Sequence, residues 1–258
     1  MAWLRTLFVA LVLVVLTPPY AAAVVICAAL GVQDKRGGIY DWIARTWTGA
    51  VIFASGVKVR IKGVERLTES VTCPRIFASN HVSWFDVFVL GSIVPRFAFV
   101  AKAELLKIPI FGPGARAVGT VPIDRNNRKS AFASYEEAAA RIAGGRSVIV
   151  FPEGTRGKAY PLRPFKKGPF VLAIAARASV VPTIVYGTLP IFPRDSYRLH
   201  RGGGVVEVEF LEPVPTEGLD YEARDVLSQT VHDRMEEALA THGVEPWSTS
   251  PQVLTPED

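Results

Sequence analysis

Apolar residues follow two alternating patterns along most of the chain. Short β-rich runs cover residues 57–63, 75–79, 96–101, 119–123, 147–151, 180–186 and 205–211. Apolar positions with helical spacing cover residues 39–55, 130–145, 167–178 and 221–242. Gly56 and Gly243 follow two of these helical segments as stops. The alternation predicts an α/β fold, a single domain over residues 37–244 with a mostly buried mixed sheet flanked by helices.

The N-terminal pattern is different, because residues 6–33 contain no charged side chain. About 20 apolar residues suffice to cross the hydrocarbon core of a bilayer. Pro18 and Pro19 fall in the middle of the segment and disfavour one straight helix. Residues 1–36 are therefore expected to form a membrane anchor, either a kinked span or a two-helix hairpin that is re-entrant or interfacial.

Basic residues flank both ends of this anchor, which favours a hairpin whose ends share the cytoplasmic face of the inner (cell) membrane. The run LFVALVLVVL also resembles the apolar part of a signal peptide, and PYAAA resembles a cleavage site. The apolar run resumes at once with VVICAAL, which favours a retained anchor over cleavage or a buried core helix. At the other end, residues 245–258 are rich in Pro, Ser and Thr and predict a flexible tail.

Net charge and composition indicate which classes of binding partner the chain favours. The formal charge of +5, in a chain that is 49 % apolar, favours an anionic partner such as phosphate or an acidic membrane face. The apolar N-terminus favours the membrane over nucleic acid. Cys27 and Cys73 match no metal or redox spacing, so a disulfide scaffold is not expected.

The heptapeptide NHVSWFD, residues 80–86, follows the predicted strand 75–79. His81 and Asp86 can meet if the histidine lies in the loop and Asp86 lies in the first turn of the next helix, with Ser83 as N-cap. Ser83 and Asp86 alone would form a common capping box. The preceding histidine adds a second interpretation, in which the carboxylate orients an imidazole that acts as a general base.

The group that loses its proton to such a base is not evident within the motif. Ser83 lies near His81, but no GxSxG elbow surrounds it. A hydroxyl of the substrate itself is the remaining candidate. A catalytic metal is disfavoured, since one histidine and one aspartate lack the further ligands of a hydrolytic zinc site.

A second motif, FPEGTRG at residues 151–157, follows the predicted strand 147–151 and is rich in turn-forming and charged residues. Arginine offers a planar fork for phosphate oxygens. Further cations lie in two clusters on either side: Lys102, Lys107, Arg116, Arg125, Arg128 and Lys129 before it, and Lys158, Arg163, Lys166 and Lys167 after it. A solvated basic face is the plain alternative to a phosphate site. No Walker pattern is present, so nucleotide hydrolysis is not indicated.

Taken together, NHVSWFD, KAELLKIPIFG with GTVPIDR, FPEGTR and VPTIVYG resemble the four ordered sequence blocks of the glycerolipid acyltransferases, specifically the lysophosphatidic acid acyltransferases. The resemblance covers residues 75–187. It implies that His81 is the general base for the free glycerol hydroxyl, with Asp86 as its orienting partner. The oxygen then attacks an acyl thioester directly, without an acyl-enzyme.

The same resemblance implies the substrate-binding residues: Asn80, Ser83, Lys102, Arg125, Glu153, Gly154, Thr155 and Arg156. Lys102 and Arg125 are expected to face the acceptor's phosphate. No cofactor is expected, because acyl-CoA or acyl-carrier protein serves as the donor substrate. Pro122 and Gly157 depart from the commonest form of the blocks, which leaves the acceptor open between lysophosphatidic acid and another lysolipid. Rival hypotheses are a lipid-binding module without turnover and a metal-dependent phosphohydrolase.

Overall fold

The computed structural model describes residues 2–35, 37–69, 73, 75–123, 134–135, 137–140, 142, 144–200 and 203–246. Its strands are β1 (Val57–Lys62), β2 (Ile76–Ser79), β3 (Phe97–Lys102), β4 (Val121–Ile123), β5 (Ser147–Val150), β6 (Val180–Tyr186) and β7 (Gly204–Phe210). These strands form one seven-stranded sheet in the order β1-β7-β6-β2-β5-β3-β4. Every neighbouring pair is parallel except β6 and β7, which confirms the predicted mixed sheet.

The helices in the described part of the chain are α1 (Ala2–Ala29), α2 (Ile39–Ser55), α3 (Glu65–Glu69), α4 (Phe85–Ile93), α5 (Phe111–Ala117), α6 (Gly168–Ala175) and α7 (Arg224–Ala240). Helix α2 has the predicted bounds and ends at Gly56, whose φ of 70° lies in the left-handed region that glycine tolerates. The predicted helix 130–145 lies partly outside the described residues, and the predicted tail is described only to residue 246.

The sheet is buried on both faces, which explains why the central strands are continuously apolar. Successive side chains of a strand point to opposite faces. In β2, Ile76 and Ala78 belong to the core that α6 and α7 cover, whereas Phe77 belongs to the core beneath α2 and α4. All residues of β2 are buried. The two layers of helices therefore fix the strand ends, where the loops that carry the sequence motifs emerge.

Helix α1 is continuous across both prolines, so of the two alternatives predicted for residues 1–36 the chain does not form the hairpin within this segment. Neighbouring helices support the helix at this point. The indole of Trp47 in α2 donates a hydrogen bond to the Thr17 hydroxyl at 3.2 Å. A side chain at Gly114 of α5 would come within 2.9 Å of the Ala21 Cβ, so α5 packs closely just beyond the prolines. Two N-terminal helices do pack against each other, but they are α1 and α2.

A partly buried ionic cluster connects the turn between α1 and α2 to the sheet. The Asp34 carboxylate accepts a hydrogen bond from Arg96 Nε at 3.2 Å and another from Arg146 Nη2. Arg96 also donates to the Asp34 carbonyl at 2.9 Å, and its main-chain N–H donates to the Asp41 carboxylate at 2.9 Å. Because Arg96 and Arg146 precede β3 and β5, the cluster joins the helix pair to the ends of two strands.

Helix α1 presents a wide apolar face to the outside. The segment Trp3–Ala29 has a mean hydropathy of 2.4 and is long and apolar enough to cross a membrane, and only 11 % of its most apolar stretch is buried. Leu4, Leu7, Leu11 and Val14 are 73, 62, 58 and 71 % exposed. A buried core helix, one of the alternatives from the sequence, is therefore not what the chain forms. The exposed apolar face of α1 suits contact with a membrane.

Candidate active site

The candidate site lies at the carboxyl ends of three neighbouring parallel strands, β5, β2 and β6. In open α/β sheets this edge is where ligands bind. His81 follows β2, the FPEGTR segment follows β5, and Thr188 follows β6. The topology thus brings together segments that are far apart in the chain.

His81 and Asp86 are in hydrogen-bond contact. The imidazole Nδ1 lies 2.9 Å from the Asp86 Oδ2. A carboxylate can only accept, so Nδ1 carries the hydrogen and the lone pair of Nε2 remains available as a proton acceptor. The Asp86 side chain is fully buried, whereas that of His81 is 13 % exposed. The imidazole can therefore be reached from outside while its partner cannot.

The Asp86 carboxylate also organises the loop around it. Its Oδ2 accepts hydrogen bonds from the main-chain N–H groups of Val82 and Ser83, both at 2.8 Å. Its Oδ1 accepts one from the Thr188 hydroxyl at 2.6 Å. The Ser83 hydroxyl accepts from the Phe85 N–H at 3.1 Å at the start of α4. The two interpretations of the motif are compatible, because the Asp86 carboxylate binds both the imidazole and the main chain before α4. Helix α4 nevertheless begins at Phe85, and its N-cap is Trp84 and not the predicted Ser83.

The segment after β5 holds His81 from the other side. The imidazole stacks on Phe151 with ring centroids 4.0 Å apart. The main-chain N–H of His81 donates to Glu153 Oε1 at 3.0 Å, and its carbonyl accepts from the Gly157 N–H at 2.6 Å. These contacts fix both the backbone and the ring of His81.

Glu153 is buried and holds the loops together, which differs from the expected direct contact with substrate. Its second oxygen accepts from Arg163 Nε at 3.1 Å, and burial raises the pKa of the Glu153 carboxyl. Gly154 has a φ of 80°, which lets the chain turn tightly after the strand. Thr155 is exposed, and its carbonyl accepts a hydrogen bond from Arg163.

Arg156 is half-buried beside the histidine loop. Its guanidinium lies 4.8 Å from the centroid of the Trp84 ring, which is stacking distance. Burial, followed by the charge of Arg194, lowers the pKa of Arg156. Lys102 ends β3 and is exposed, with its Nζ 3.2 Å from Glu104. Arg125 lies outside the described residues.

Asn80 and Ser83 correct the sequence-based expectation, because neither offers a free group to a substrate. Both are fully buried. The Asn80 amide donates to the Val185 carbonyl at 2.9 Å and accepts from the Val185 N–H at 2.8 Å, which pins β2 to β6. The Ser83 hydroxyl donates to the Phe192 carbonyl at 2.7 Å. Their role is to shape the loop that carries His81.

Several residues at the site were not found from the sequence: Phe151, Tyr160, Thr188 and Arg194. Thr188 comes one residue after the VPTIVYG block, and this adjacency was the available signal. The Tyr160 hydroxyl accepts hydrogen bonds from the N–H groups of Gly187 at 2.6 Å and Leu189 at 3.2 Å, so it supports the main chain on both sides of Thr188. Burial raises the pKa of Tyr160 to about 12, which keeps the phenol protonated.

One group in the described part of the chain, His232 with Asp233 and Glu236, has the spacing to hold a metal ion. It lies on α7 and not on the loops that form the candidate site.

Comparison with known proteins agrees with this geometry. A sequence model of the family described as Acyltransferase matches residues 58–186. The chain is 35 % identical over 170 residues to the chloroplastic 1-acyl-sn-glycerol-3-phosphate acyltransferase LPAT1 of Arabidopsis thaliana, which covers 66 % of this chain and 47 % of the relative. It is 31 % identical over 229 residues to the 1-acyl-sn-glycerol-3-phosphate acyltransferase of Saccharomyces cerevisiae, covering 87 and 73 %. The chain thus spans about half the length of the first of these relatives.

Two further similarities bear on the fold and on the acceptor. The crystal structure of the 1-acyl-sn-glycerophosphate acyltransferase PlsC of Thermotoga maritima superposes with a TM-score of 0.74 at 25 % identity, covering 96 % of this chain and 98 % of that one. A lyso-ornithine lipid O-acyltransferase of Rhizobium meliloti is 29 % identical over 192 residues, covering 74 and 61 %.

The protein belongs to the acyltransferase family. Within it, the chain is of the 1-acyl-sn-glycerol-3-phosphate acyltransferase type, as the sequence blocks predicted.

Proposed function

We propose that this enzyme transfers a fatty acyl group from an acyl thioester to the sn-2 hydroxyl of 1-acyl-sn-glycerol 3-phosphate, which forms phosphatidic acid. The observation that carries the proposal is the His81–Asp86 pair, in which the imidazole is reachable and its carboxylate is sealed. Arg156 belongs to the segment that is bonded to the His81 carbonyl through Gly157, which supports a role for its guanidinium in binding the phosphate.

The geometry supports a direct transfer. Nε2 of His81 takes the proton of the glycerol hydroxyl as its oxygen attacks the thioester carbonyl. The new C–O bond forms, the C–S bond breaks, and the leaving thiolate takes the proton back from the imidazolium. Asp86 stabilises the imidazolium in between. General-base assistance of this kind is worth about 10²–10⁴ in rate.

A covalent acyl-enzyme on the motif's own serine is disfavoured. The Ser83 hydroxyl is fully buried, donates to the Phe192 carbonyl and accepts from the Phe85 N–H. It would have to give up both bonds to reach a thioester. The substrate hydroxyl is therefore the nucleophile.

Helix α1 bears on how the lipid substrate reaches the site. An acyl chain that leaves the bilayer for water costs about 0.8 kcal/mol per methylene, so a long chain faces more than about 10 kcal/mol. The exposed apolar face of α1 supports docking of the domain on the leaflet, where a lysolipid could reach His81 without full exposure to water. Basic residues near both ends of the helix favour docking on the cytoplasmic face of the membrane.

Acylation of a lyso-ornithine lipid is the second candidate, because a relative with that name is nearly as similar as the yeast enzyme. A two-by-two assay decides between the candidates. The purified enzyme is given acyl-CoA or acyl-carrier protein as donor, with lysophosphatidic acid or lyso-ornithine lipid as acceptor. We expect higher kcat/KM with lysophosphatidic acid.

Two results would count against the proposal. A higher kcat/KM with lyso-ornithine lipid would assign the second function. No release of free thiol with any pair would leave only a lipid-binding role.

A further inference from the structure

We propose that Arg194 is a second phosphate ligand, which with Arg156 forms a two-guanidinium site selective for a phosphate monoester. The inference rests on the proposed function, because it names what distinguishes the acceptor's headgroup. No sequence block contains Arg194, which lies in the segment that follows β6.

The chain holds Arg194 at the site through the histidine loop. The Ser83 hydroxyl donates to the Phe192 carbonyl at 2.7 Å, and Ser83 also forms an antiparallel bridge with Pro193. Six residues earlier in the chain than Arg194, Thr188 holds the Asp86 carboxylate. The segment is thus attached to the His81–Asp86 loop at two residues, Ser83 and Asp86. Arg194 directly follows Pro193, which pairs with Ser83.

Arg194 and Arg156 contact each other reciprocally. Arg194 Nη1 donates to the Arg156 carbonyl at 2.6 Å, and Arg156 Nη1 lies 3.4 Å from the Arg194 carbonyl. Each guanidinium has five N–H donors, so most of the donors of both side chains remain for a ligand. These two bonds hold the guanidinium groups in position, and because their acceptors are neutral main-chain carbonyls, they leave the positive charges unpaired by these contacts.

Nearby carboxylates offset the charge of the pair only in part, since the charges of Asp86 and Asp195 act on Arg156 against the effect of Arg194. Among the described residues, no carboxylate lies within 3.5 Å of either guanidinium, and Asp195 Oδ1 is 3.9 Å from Arg194 Nε. Asp195 instead pairs with Lys158 at 2.8 Å. Arg194 also acts electrostatically on Arg156, since its charge contributes to the lowered pKa of Arg156. Two like charges held together in this way are relieved by an anion that binds both.

A phosphate monoester suits this arrangement better than a carboxylate headgroup. It carries a charge of about −1.5 to −2 near neutral pH and has three strong acceptor oxygens. One guanidinium can bind two of these oxygens in a fork while the second binds the third. A lyso-ornithine lipid has no phosphate and would leave one of the two cations unmatched. Arg194 is therefore expected to set the preference between the two acceptors.

The test compares Arg194→Gln, Arg194→Lys and a control, Arg60→Gln, which removes an exposed arginine from edge strand β1. With lysophosphatidic acid, we expect Arg194→Gln to raise KM about tenfold to a hundredfold, with little change in kcat. This is the effect expected when a hydrogen-bonded charge pair with the substrate is lost. Arg194→Lys should show an intermediate KM. Inhibition by sn-glycerol 3-phosphate should weaken in parallel. The KM for lyso-ornithine lipid, and all constants of Arg60→Gln, should stay near wild type.

The outcomes separate the two proposals. A wild-type enzyme that does not acylate lysophosphatidic acid overturns the proposed function. A wild-type enzyme that does so, with an Arg194→Gln variant whose KM for it is unchanged or shifts equally for both acceptors, overturns the role of Arg194 alone. Thermal unfolding of all variants identifies any whose KM changes because the protein is misfolded. If Arg194→Gln is misfolded, the KM of Arg194→Lys decides whether Arg194 binds the phosphate.

Discussion

The hydroxyl of Thr188 donates to the carboxylate of Asp86 at 2.6 Å, although 102 residues separate them in the chain. Both side chains are fully buried. Asp86 also accepts from His81 and from two main-chain N–H groups, so its two oxygens have four donors in all. The orientation of the Asp86 carboxylate, which holds His81, therefore depends on the segment that follows β6 as well as on the loop between β2 and α4.

Replacing Thr188 with valine should lower kcat about tenfold and leave KM nearly unchanged. The variant keeps the shape of the side chain but leaves Oδ1 of Asp86 without its donor, and a hydrogen bond to a charged group is worth about 1.5–3 kcal/mol. Steady-state kinetics on lysophosphatidic acid measure the effect. Thr188→Ser, which keeps the hydroxyl, should recover most of the rate.

Thr183→Val is the matched control for this change. Thr183 is also buried, on β6, but its hydroxyl donates to the Val181 carbonyl and not to the site. A kcat reduced to the same extent in both valine variants would show that Thr188 acts only through general stability.

His81→Ala should lose at least about a hundredfold in kcat, because the proton of the acceptor hydroxyl then has no base. Melting temperature should change little, since the main-chain contacts of residue 81 with Glu153 and Gly157 remain. Release of thiol from acyl-CoA gives the rate. His200→Ala, at an exposed histidine, is expected to behave like wild type, and near-normal turnover by His81→Ala would rule out the general-base role.

The secondary structure was largely predictable, because local patterns decide it. Helix α2 and strand β6 have the predicted bounds. In α2 the aromatic and apolar positions repeat at helical spacing and a glycine ends the helix, and β6 is a continuous apolar run between turn signals. The sequence left a continuous helix and a hairpin open at Pro18 and Pro19, because the contacts from α2 and α5 that support the helix there lie outside the local window.

The candidate site was only partly predictable. The His81–Asp86 contact follows from spacing within one loop. Asn80 was expected to bind substrate, but the sequence could not show that Val185 would present its N–H and carbonyl to the amide. Arg194 was missed for the same reason, since only the parallel order of β5, β2 and β6 brings it to Arg156. Contacts between strand ends require the topology, which periodicity alone does not give.

The buried Glu153 should make the stability of the enzyme depend on pH. Burial raises its pKa above the ordinary value of 4.5, so its contribution to folding is fully present below that value and is lost as pH rises through the folded-state pKa. The free energy of unfolding of wild type minus that of Glu153→Gln should therefore fall as pH increases from 4. Denaturant unfolding in detergent measures this difference. Glu217→Gln, at an exposed position, should show no such trend, and a difference that grows with pH would contradict the assignment.

The apolar face of α1 should control binding to vesicles. Replacing Leu4, Leu7 and Leu11 with serine removes three exposed leucines from one side of the helix. Burying one leucine is worth about 1.5–3 kcal/mol, so co-sedimentation with lipid vesicles should weaken at least about a hundredfold. Activity should fall far more on bilayer lysolipid than on a short-chain soluble analogue.

Val226→Ser, which changes an apolar residue on α7 that is 70 % exposed, serves as the control for vesicle binding. If the α1 variant lost activity equally on both acceptors, α1 would not act by presenting the lipid.

The ionic cluster of Asp34 with Arg96 and Arg146 joins the turn after α1 to the starts of β3 and β5. Where α1 docks on a leaflet as proposed, this joint would set the height of the imidazole above the lipid, and with it the position along an acceptor molecule where acylation takes place.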